Sequence, residues 1–228
     1  MRKEMPHLLE LFSGTGSMGR AFRARGWQVT SVDIDAKALP TICCDMLELE
    51  VEHVLEYGNV DLIWASPPCT HYSCARTKAR TPRDLEGSDA LVRKVLDLAD
   101  QLCCYYLLEN PHSGLLKSRP VVQGLRMVVL DYCRYGTAYR KRTGIWTNTD
   151  YEPRRPLCKK DCAASDGKCH TRRAPRTGPG WPHTLAELYA IPAAPCNERA
   201  ERAEHESYTW GDWSCQSLPD PIERAPPG

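Results

Sequence analysis

Short apolar runs alternate with amphipathic stretches between residues 7 and 150. The apolar runs are rich in β-branched and aromatic side chains, which predicts strands. These runs are HLLELFS, WQVTSVDI, TICCD, VDLIWAS, CYYLLEN, VVLDYCRY and TGIWTNT. SMGRAFRARG predicts a helix ending at Gly26, and DALVRKVLDLADQL has the i, i+3, i+4, i+7 spacing of a helix with one buried face. The alternation predicts an α/β protein with a doubly wound, mostly parallel sheet.

The pattern changes at Tyr151, where Pro, Gly, Arg and Cys become frequent and no apolar period is long enough for a core element. We therefore predict a core at 1–150 and a small Cys/Arg-rich excursion at 151–182. A helical segment at 183–206 is expected to return to the core, and 207–228 reads as a tail.

Length and charge set broad limits on the protein. The 228 residues fit one domain of ordinary size, and 30 basic against 29 acidic residues give a net charge of +1, which neither suggests nor excludes a nucleic-acid partner. No apolar run is long enough to span a membrane. We expect a monomeric intracellular protein without a membrane partner, in the cytoplasm or, in a eukaryotic host, the nucleus.

A glycine turn follows the first predicted strand and opens a helix. Gly14 and Gly16 allow a tight turn and close approach of the backbone to a ligand, although G-x-G-x-x-G alone is a weak signal. Asp33 ends the second strand, where a carboxylate can accept hydrogen bonds from ribose hydroxyls. Asp45 ends the third strand, where it could meet an adenine amino group. We assign the contact with the ribose hydroxyls to Asp33 and the N-cap of the next helix to Asp35.

The fourth predicted strand ends on Ser-Pro-Pro-Cys, residues 66–69. Two consecutive prolines make a stiff extended loop, which can hold one reactive atom against a substrate. An aromatic residue after such prolines would stack on a base during amino-group methylation, whereas a cysteine can attack the ring. Here the residue is Cys69.

Carbon 5 of cytosine is too weakly nucleophilic to take a methyl group directly. A thiolate adding to carbon 6 creates an enamine, provided that an acid stabilises the charge at ring nitrogen 3. Glu109, at the end of the fifth strand, can be that acid if apolar neighbours shelter it.

The order LFSGTG, acid, Asp45, PPC, LEN and YGTAYRKRTGIW resembles the DNA (cytosine-5) methyltransferase family over residues 8–147. The resemblance implies a Rossmann-like fold, S-adenosylmethionine as methyl donor, DNA as partner and a flipped cytosine as substrate. It implies that Cys69 is the nucleophile and Glu109 the acid, with Asn110 fixing the loop and Pro68 its rigid neighbour. The implied donor-binding residues are Phe12, Ser13, Gly14, Gly16, Asp33, Ile34, Asp45, Met46 and Pro67.

The chain also departs from the family pattern. Arg140 and Arg142 are the counterparts we choose for the arginines that follow the sixth strand, although Gly144 occupies the place of the second, and a solvated hairpin is the competing interpretation. The long target-recognition domain is replaced by about 40 residues from Tyr151. The LYAIP helix within 183–206 is similar to that of small phage and viral members.

The excursion contains Cys158, Cys162, Cys169 and His170 in the pattern C-x₃-C-x₆-C-H. These side chains predict a structural zinc site, with His183 or Cys196 as possible replacements, and free thiols on a polar loop are the alternative. Basic residues surround the pattern and predict phosphate contacts. They are Arg154, Arg155, Lys159, Lys160, Lys168, Arg172, Arg173 and Arg176, with Trp181 available for a base or the core.

Four alternatives stay open. Ser66-Pro-Pro also fits N4-cytosine methylation, against which Glu109-Asn110 counts. A nucleic-acid binder that has lost turnover would keep the same fold. RNA in place of DNA, or transfer of a group other than methyl, is likewise open.

Overall fold

The computed structural model describes residues 5–77 and 79–172. The strands of its single seven-stranded sheet are β1 (His7–Leu11), β2 (Gln28–Asp33), β3 (Ile42–Cys43), β4 (Leu62–Ala65), β5 (Tyr105–Pro111), β6 (Met127–Asp131) and β7 (Arg142–Thr147). The α-helices are α1 (Ser17–Arg23), α2 (Val51–Leu55) and α3 (Leu85–Gln101). Short 3₁₀ helices lie at Ala36–Ala38, Met46–Glu48, Leu116–Ser118, Pro120–Val122 and Tyr132–Tyr135.

The strand order is β3-β2-β1-β4-β5-β7-β6. The first five strands of this order pair in parallel, and β7 is antiparallel to both β5 and β6. This confirms the predicted doubly wound, mostly parallel sheet. The chain leaves β1 in one direction to form β2 and β3 and returns to its other side for β4, so the strand order reverses between β1 and β4. Ligands of open α/β sheets bind at the carboxyl ends of the strands beside such a point.

Both faces of the sheet are buried, as the near-continuous apolar runs require. Leu9 and Leu11 of β1 pack in a core that includes the apolar face of α3, whereas Leu8 packs with Phe22 of α1 on the other side. Successive strand residues point to opposite faces, so one run supplies both cores. Each fully buried leucine contributes about 1.5–3 kcal/mol relative to an exposed one.

Two boundaries differ from the prediction by four residues. Helix α3 begins at Leu85 rather than at Asp89, because the Asp84 side chain accepts the Gly87 N–H at 2.8 Å and caps the helix. Strand β6 ends at Asp131, since Tyr132–Tyr135 forms a 3₁₀ turn. The short helix α2 was not predicted.

The excursion is described as far as Arg172. The predicted segments 183–206 and 207–228 lie outside the described residues, as do Arg173, Arg176, Trp181, His183 and Cys196, and the limits at 150 and 182 stay predictions. Within 5–77 and 79–172, no helix is both long enough and apolar enough to cross a membrane.

Candidate active site

The glycine turn lies between β1 and α1, at the reversal of strand order. Phe12, Gly14 and Gly16 all have positive φ angles, of 57°, 47° and 64°. The Ser13 N–H donates to the Val32 carbonyl at 3.0 Å, which ties the turn to β2. The sequence predicted glycines for close backbone approach, and this backbone conformation is one that glycine adopts without strain.

Asp33 supports the same turn from the end of β2. Its Oδ2 accepts the Gly14 N–H at 2.7 Å and its Oδ1 accepts the Asp35 N–H at 2.9 Å. Each carboxylate oxygen has two acceptor sites, so a ribose hydroxyl can still be bound. Asp35 caps the following 3₁₀ turn by accepting the Lys37 N–H, which is the cap role predicted for it.

Two large apolar side chains are exposed near the ends of β2 and β3. Ile34 is 68% exposed and Leu47 is 48% exposed. The side chain of Asp45, two residues before Leu47, caps Met46–Glu48 by accepting the Leu47 N–H at 2.9 Å. Exposed apolar groups beside carboxylates suit a flat heterocycle with polar edges. Met46 differs from its neighbours, because its side chain is buried in the core.

The Ser-Pro-Pro-Cys loop leaves β4 beside β5. Ala65 pairs with Leu108 in parallel register, so the loop begins next to Glu109. The buried Asn110 side chain donates from Nδ2 to the Pro67 carbonyl at 3.0 Å. This hydrogen bond fixes the loop to the strand that carries Glu109. Pro68 is exposed on the loop, and Cys69 beyond it is half-buried.

Glu109 is 4% exposed and lies between two polar side chains. The Lys141 ammonium lies 3.1 Å from its Oε1, and the Tyr132 hydroxyl donates to the same oxygen at 3.4 Å. Lys141 also stands 5.0 Å from the centroid of the Tyr132 ring. These contacts place a cation and a phenol at the same oxygen of the Glu109 carboxyl and hold the carboxyl in one orientation.

Arg140 and Arg142 are directed to Asp131. Both pair with the buried carboxylate of Asp131, at 3.1 Å and 2.7 Å. Burial by itself would raise the Asp131 pKa. The hydrogen bonds from Arg142 and Arg140 outweigh burial and hold the pKa below its ordinary value. Residues 140–142 lead into an extended strand, so side chains alternate between sides. That alternation is the signal that could have selected Lys141, rather than the two arginines, as the cation beside Glu109.

No family model matches this sequence. A protein of Frog virus 3 (isolate Goorha), named as a probable DNA (cytosine-5)-methyltransferase, is 34% identical over 192 residues, which cover 78% of this chain and 85% of the viral protein. The chain belongs to the DNA (cytosine-5)-methyltransferase family. This confirms the resemblance on which the site residues were chosen.

Solved structures bear on the fold of this methyltransferase. The Entamoeba histolytica methyltransferase EhMeth has a TM-score of 0.50 at 14% identity, with 68% of this chain and 57% of EhMeth covered. For the S. pombe Dnmt2 methyltransferase the TM-score is 0.47 at 17% identity, with 64% and 52% covered. The chain thus spans little more than half of each protein, and the likeness to EhMeth supports the Rossmann-like methyltransferase fold.

Three cysteines and a histidine of the methyltransferase form a second cluster, which we call the Cys/His cluster, at the excursion. Cys133, Cys158, Cys162 and His170 place one ligand atom each within 4.8 Å of the others. Cys133 was not predicted as a member, because it lies 25 positions before Cys158 in the sequence and follows β6. Cys169, which was predicted, is directed to the Asp166 carboxylate at 3.5 Å. Adjacent residues such as Cys169 and His170 cannot readily turn both side chains to one centre, and this corrects the predicted ligand set.

Proposed function

We propose that the protein transfers a methyl group from S-adenosylmethionine to carbon 5 of cytosine in DNA through a covalent adduct at Cys69. One observation carries this proposal. The hydrogen bond from Asn110 to the Pro67 carbonyl joins the cysteine loop to the strand end that presents Glu109. A nucleophile and a proton donor held on neighbouring strand ends are what attack on a pyrimidine ring requires.

The groups around the glycine turn fit the methyl donor. The turn at Gly14 and Gly16 would approach the amino-acid part of the donor, and Asp33 would accept from the ribose hydroxyls. The exposed Ile34 would cover the adenine, with Asp45 close to its amino group. Phe12, Ser13, the Met46 backbone and Pro67 would complete the walls. When bound, S-adenosylmethionine supplies an electrophilic methyl group on a positively charged sulfur.

Cys69 begins the reaction by forming a bond from its thiolate sulfur to carbon 6 of the cytosine. The electron pair of the C5–C6 double bond moves to carbon 5, which would take the methyl group while the electron pair of the methyl–sulfur bond stays on the donor sulfur. A solvent water then accepts the proton from carbon 5, which restores the C5–C6 double bond and expels the Cys69 thiolate. Pro68, the rigid residue before Cys69, limits the directions in which the sulfur can move.

Glu109 is assigned to ring nitrogen 3, where it holds a proton while the adduct exists. We assign Lys141 a positioning role, because its ammonium contacts the Glu109 carboxyl at 3.1 Å. Arg140 and Arg142 stay candidates for base or backbone contact through their solvent-facing edges. In their present positions both support Asp131.

The nucleic acid is expected to meet the excursion. Arg154, Lys159, Lys160, Lys168 and Arg172 are all exposed there. Lysine and arginine side chains on one segment bind phosphates without selecting a sequence. This segment is short, so we expect loose sequence preference.

N4 methylation is the second candidate, and the Ser66 hydroxyl bears on it. That hydroxyl accepts the Trp64 indole N–H at 3.0 Å, which gives Ser66 a structural role inside the loop. With Cys69 where an aromatic residue would stack on the base, and Glu109 beside it, carbon 5 is the favoured acceptor.

The test is product analysis. Unmethylated DNA and RNA are incubated with the protein and methyl-labelled S-adenosylmethionine, digested to nucleosides and separated by mass spectrometry. The proposal expects label in 5-methyl-deoxycytidine. Label in N4-methyl-deoxycytidine or in RNA alone would replace it with the corresponding alternative, and donor binding without product would indicate an inactive relative.

A further inference from the structure

The Cys/His cluster at the excursion has the composition of a metal centre. Its donors are three sulfur atoms and one imidazole, from Cys133, Cys158, Cys162 and His170. His170 Nε2 lies 3.4 Å from the sulfur of Cys158 and 3.4 Å from that of Cys162. Tetrahedral zinc has Zn–S bonds near 2.3 Å and Zn–N bonds near 2.0 Å, which place neighbouring nitrogen and sulfur ligands about 3.5 Å apart. The observed separations match that tetrahedral edge.

The surrounding backbone also suits a thiolate. The Lys160 N–H donates to the Cys158 sulfur at 3.3 Å, two residues along the chain. Asp161 accepts the Lys159 N–H at 3.0 Å and pairs with Arg134 at 2.7 Å, so the loop between the two excursion cysteines is held on both sides. Contacts of this kind orient metal ligands and balance their charge.

The group joins two parts of the chain that are distant in sequence. Cys133 lies in the 3₁₀ turn after β6, whereas its three companions lie in the excursion. At the same junction the Cys158 N–H donates to Asp131 at 2.9 Å, and Arg134 donates to the Pro156 carbonyl at 3.1 Å. The Cys/His cluster therefore lies at the point where the excursion contacts the catalytic sheet.

The excursion has little else to hold it in place. Of residues 151–172, Tyr151 and Cys158 are the ones that are buried. A segment without its own apolar core needs another source of stability, and a structural metal is a common one.

We propose that Cys133, Cys158, Cys162 and His170 bind one structural Zn²⁺ that fastens the excursion to the end of β6. Four protein ligands leave no open position, so the ion has a structural role and no part in methyl transfer. This proposal stands on the ligand geometry and does not depend on the proposed methylation.

The first experiment measures metal content in the full chain, purified under reducing conditions without chelator. Elemental analysis is expected to find about one zinc per chain. C133S is expected to lose most of it, and the matched control C169S to retain it, because Cys169 lies in the same segment but is directed to Asp166. Wild-type protein that neither contains nor takes up zinc would overturn the proposal, as would zinc lost in C169S and retained in C133S.

A second measurement needs no variant, in case C133S does not fold. Wild-type protein is treated with a thiol-alkylating reagent before and after chelation, and each cysteine is read by mass spectrometry. Protection of Cys133, Cys158 and Cys162 until zinc is removed, with Cys169 reactive throughout, supports the site. Equal reactivity of Cys158, Cys162 and Cys169 before chelation, or a disulfide between Cys158 and Cys162 in the reduced preparation, would contradict it.

Discussion

The catalytic edge of the sheet and the excursion at 151–172 are built in different ways. At the catalytic edge, Glu109 and Asn110 lie near the end of β5, and residues 106–108 before them are buried on both faces of the sheet. In the excursion, nearly all side chains are partly or fully exposed, and order comes from a few polar contacts to β6 and the turn after it. Apolar burial places the first region, and specific pairings place the second.

This difference predicts how the two regions respond to substitution. Changes in the reacting groups should abolish chemistry without altering the fold, because apolar cores on both faces stabilise the sheet beneath them. Changes at the junction should loosen the excursion and leave the sheet intact.

The largest effect is expected for Cys69. In C69S, methyl transfer should fall by about 1000-fold or more, the order expected when a covalent nucleophile is removed. The thermal midpoint should stay unchanged, because Cys69 is not part of either core cluster. Initial rates with labelled donor and a thermal melt measure the two quantities.

The matched control for this substitution is C74S. Cys74 is an exposed thiol on the same loop whose sulfur donates to the Ser113 carbonyl at 2.9 Å, a contact that serine can keep. Equal loss of rate in C69S and C74S would mean that the loop, and not the Cys69 sulfur, is what matters.

A smaller loss is expected at Glu109. E109Q keeps the shape of the side chain and removes its ability to deliver a proton, so the rate should fall by about 10²–10⁴-fold. Binding of S-adenosylmethionine, measured by calorimetry, should be unaffected. A rate within a few-fold of wild type would remove Glu109 from the proposed mechanism.

Metal removal should separate the two regions most clearly. If the proposed zinc is present, chelation should speed amide exchange of residues 158–170 by about 100-fold or more, since little else holds them. Amides of β1, β4 and β5 should exchange as before. Unchanged exchange in the excursion, or loss of protection throughout the sheet, would break the comparison between the two regions.

The smallest effect concerns Asp131, which links the regions by pairing with Arg140 and Arg142 and accepting the Cys158 N–H. Its folded-state pKa lies below the ordinary value, so its stabilising contribution is present above that ordinary value and is lost as pH falls through the folded pKa. D131N should therefore cost about 1–3 kcal/mol at neutral pH.

Urea unfolding of D131N and wild type across a pH series checks this expectation. The difference in their free energies of unfolding should narrow only below the ordinary carboxyl pKa of about 3.9. D150N is the control, because Asp150 is an exposed carboxylate just after β7. A gap for D131N that is equal at all pH values would show that packing, and not charge, makes the contribution.

The same difference explains what the sequence could reveal. The alternating apolar runs predicted the sheet and its class because burial leaves a periodic signal along the chain. The strand ends could be located in the same way, because four of the apolar runs end close to Gly14, Asp33, Cys69 and Glu109. The start of α3 was missed because Gly87 and Ser88 have low helix propensities, which the Asp84 cap offsets.

The remaining errors concern contacts between distant parts of the chain. Cys133 reads as a small apolar residue in a buried run, and nothing near it in sequence marks it as a partner of Cys158 and Cys162. Lys141 stands between two arginines with a stronger resemblance to the family pattern, and only the alternation of side chains selects it. Pairings across 25 or more positions leave no periodic trace.

The most direct test of the central claim is the capture of the covalent adduct. Wild-type protein is incubated with S-adenosylmethionine and DNA that carries 5-fluorocytosine, in which fluorine blocks the loss of the C5 substituent that would release the enzyme. We expect a denaturation-resistant complex that depends on the donor, maps to a Cys69-containing peptide and is absent in C69S. Failure of wild-type protein to form the complex under conditions in which it methylates DNA, or an equal complex with C69S, would contradict the account.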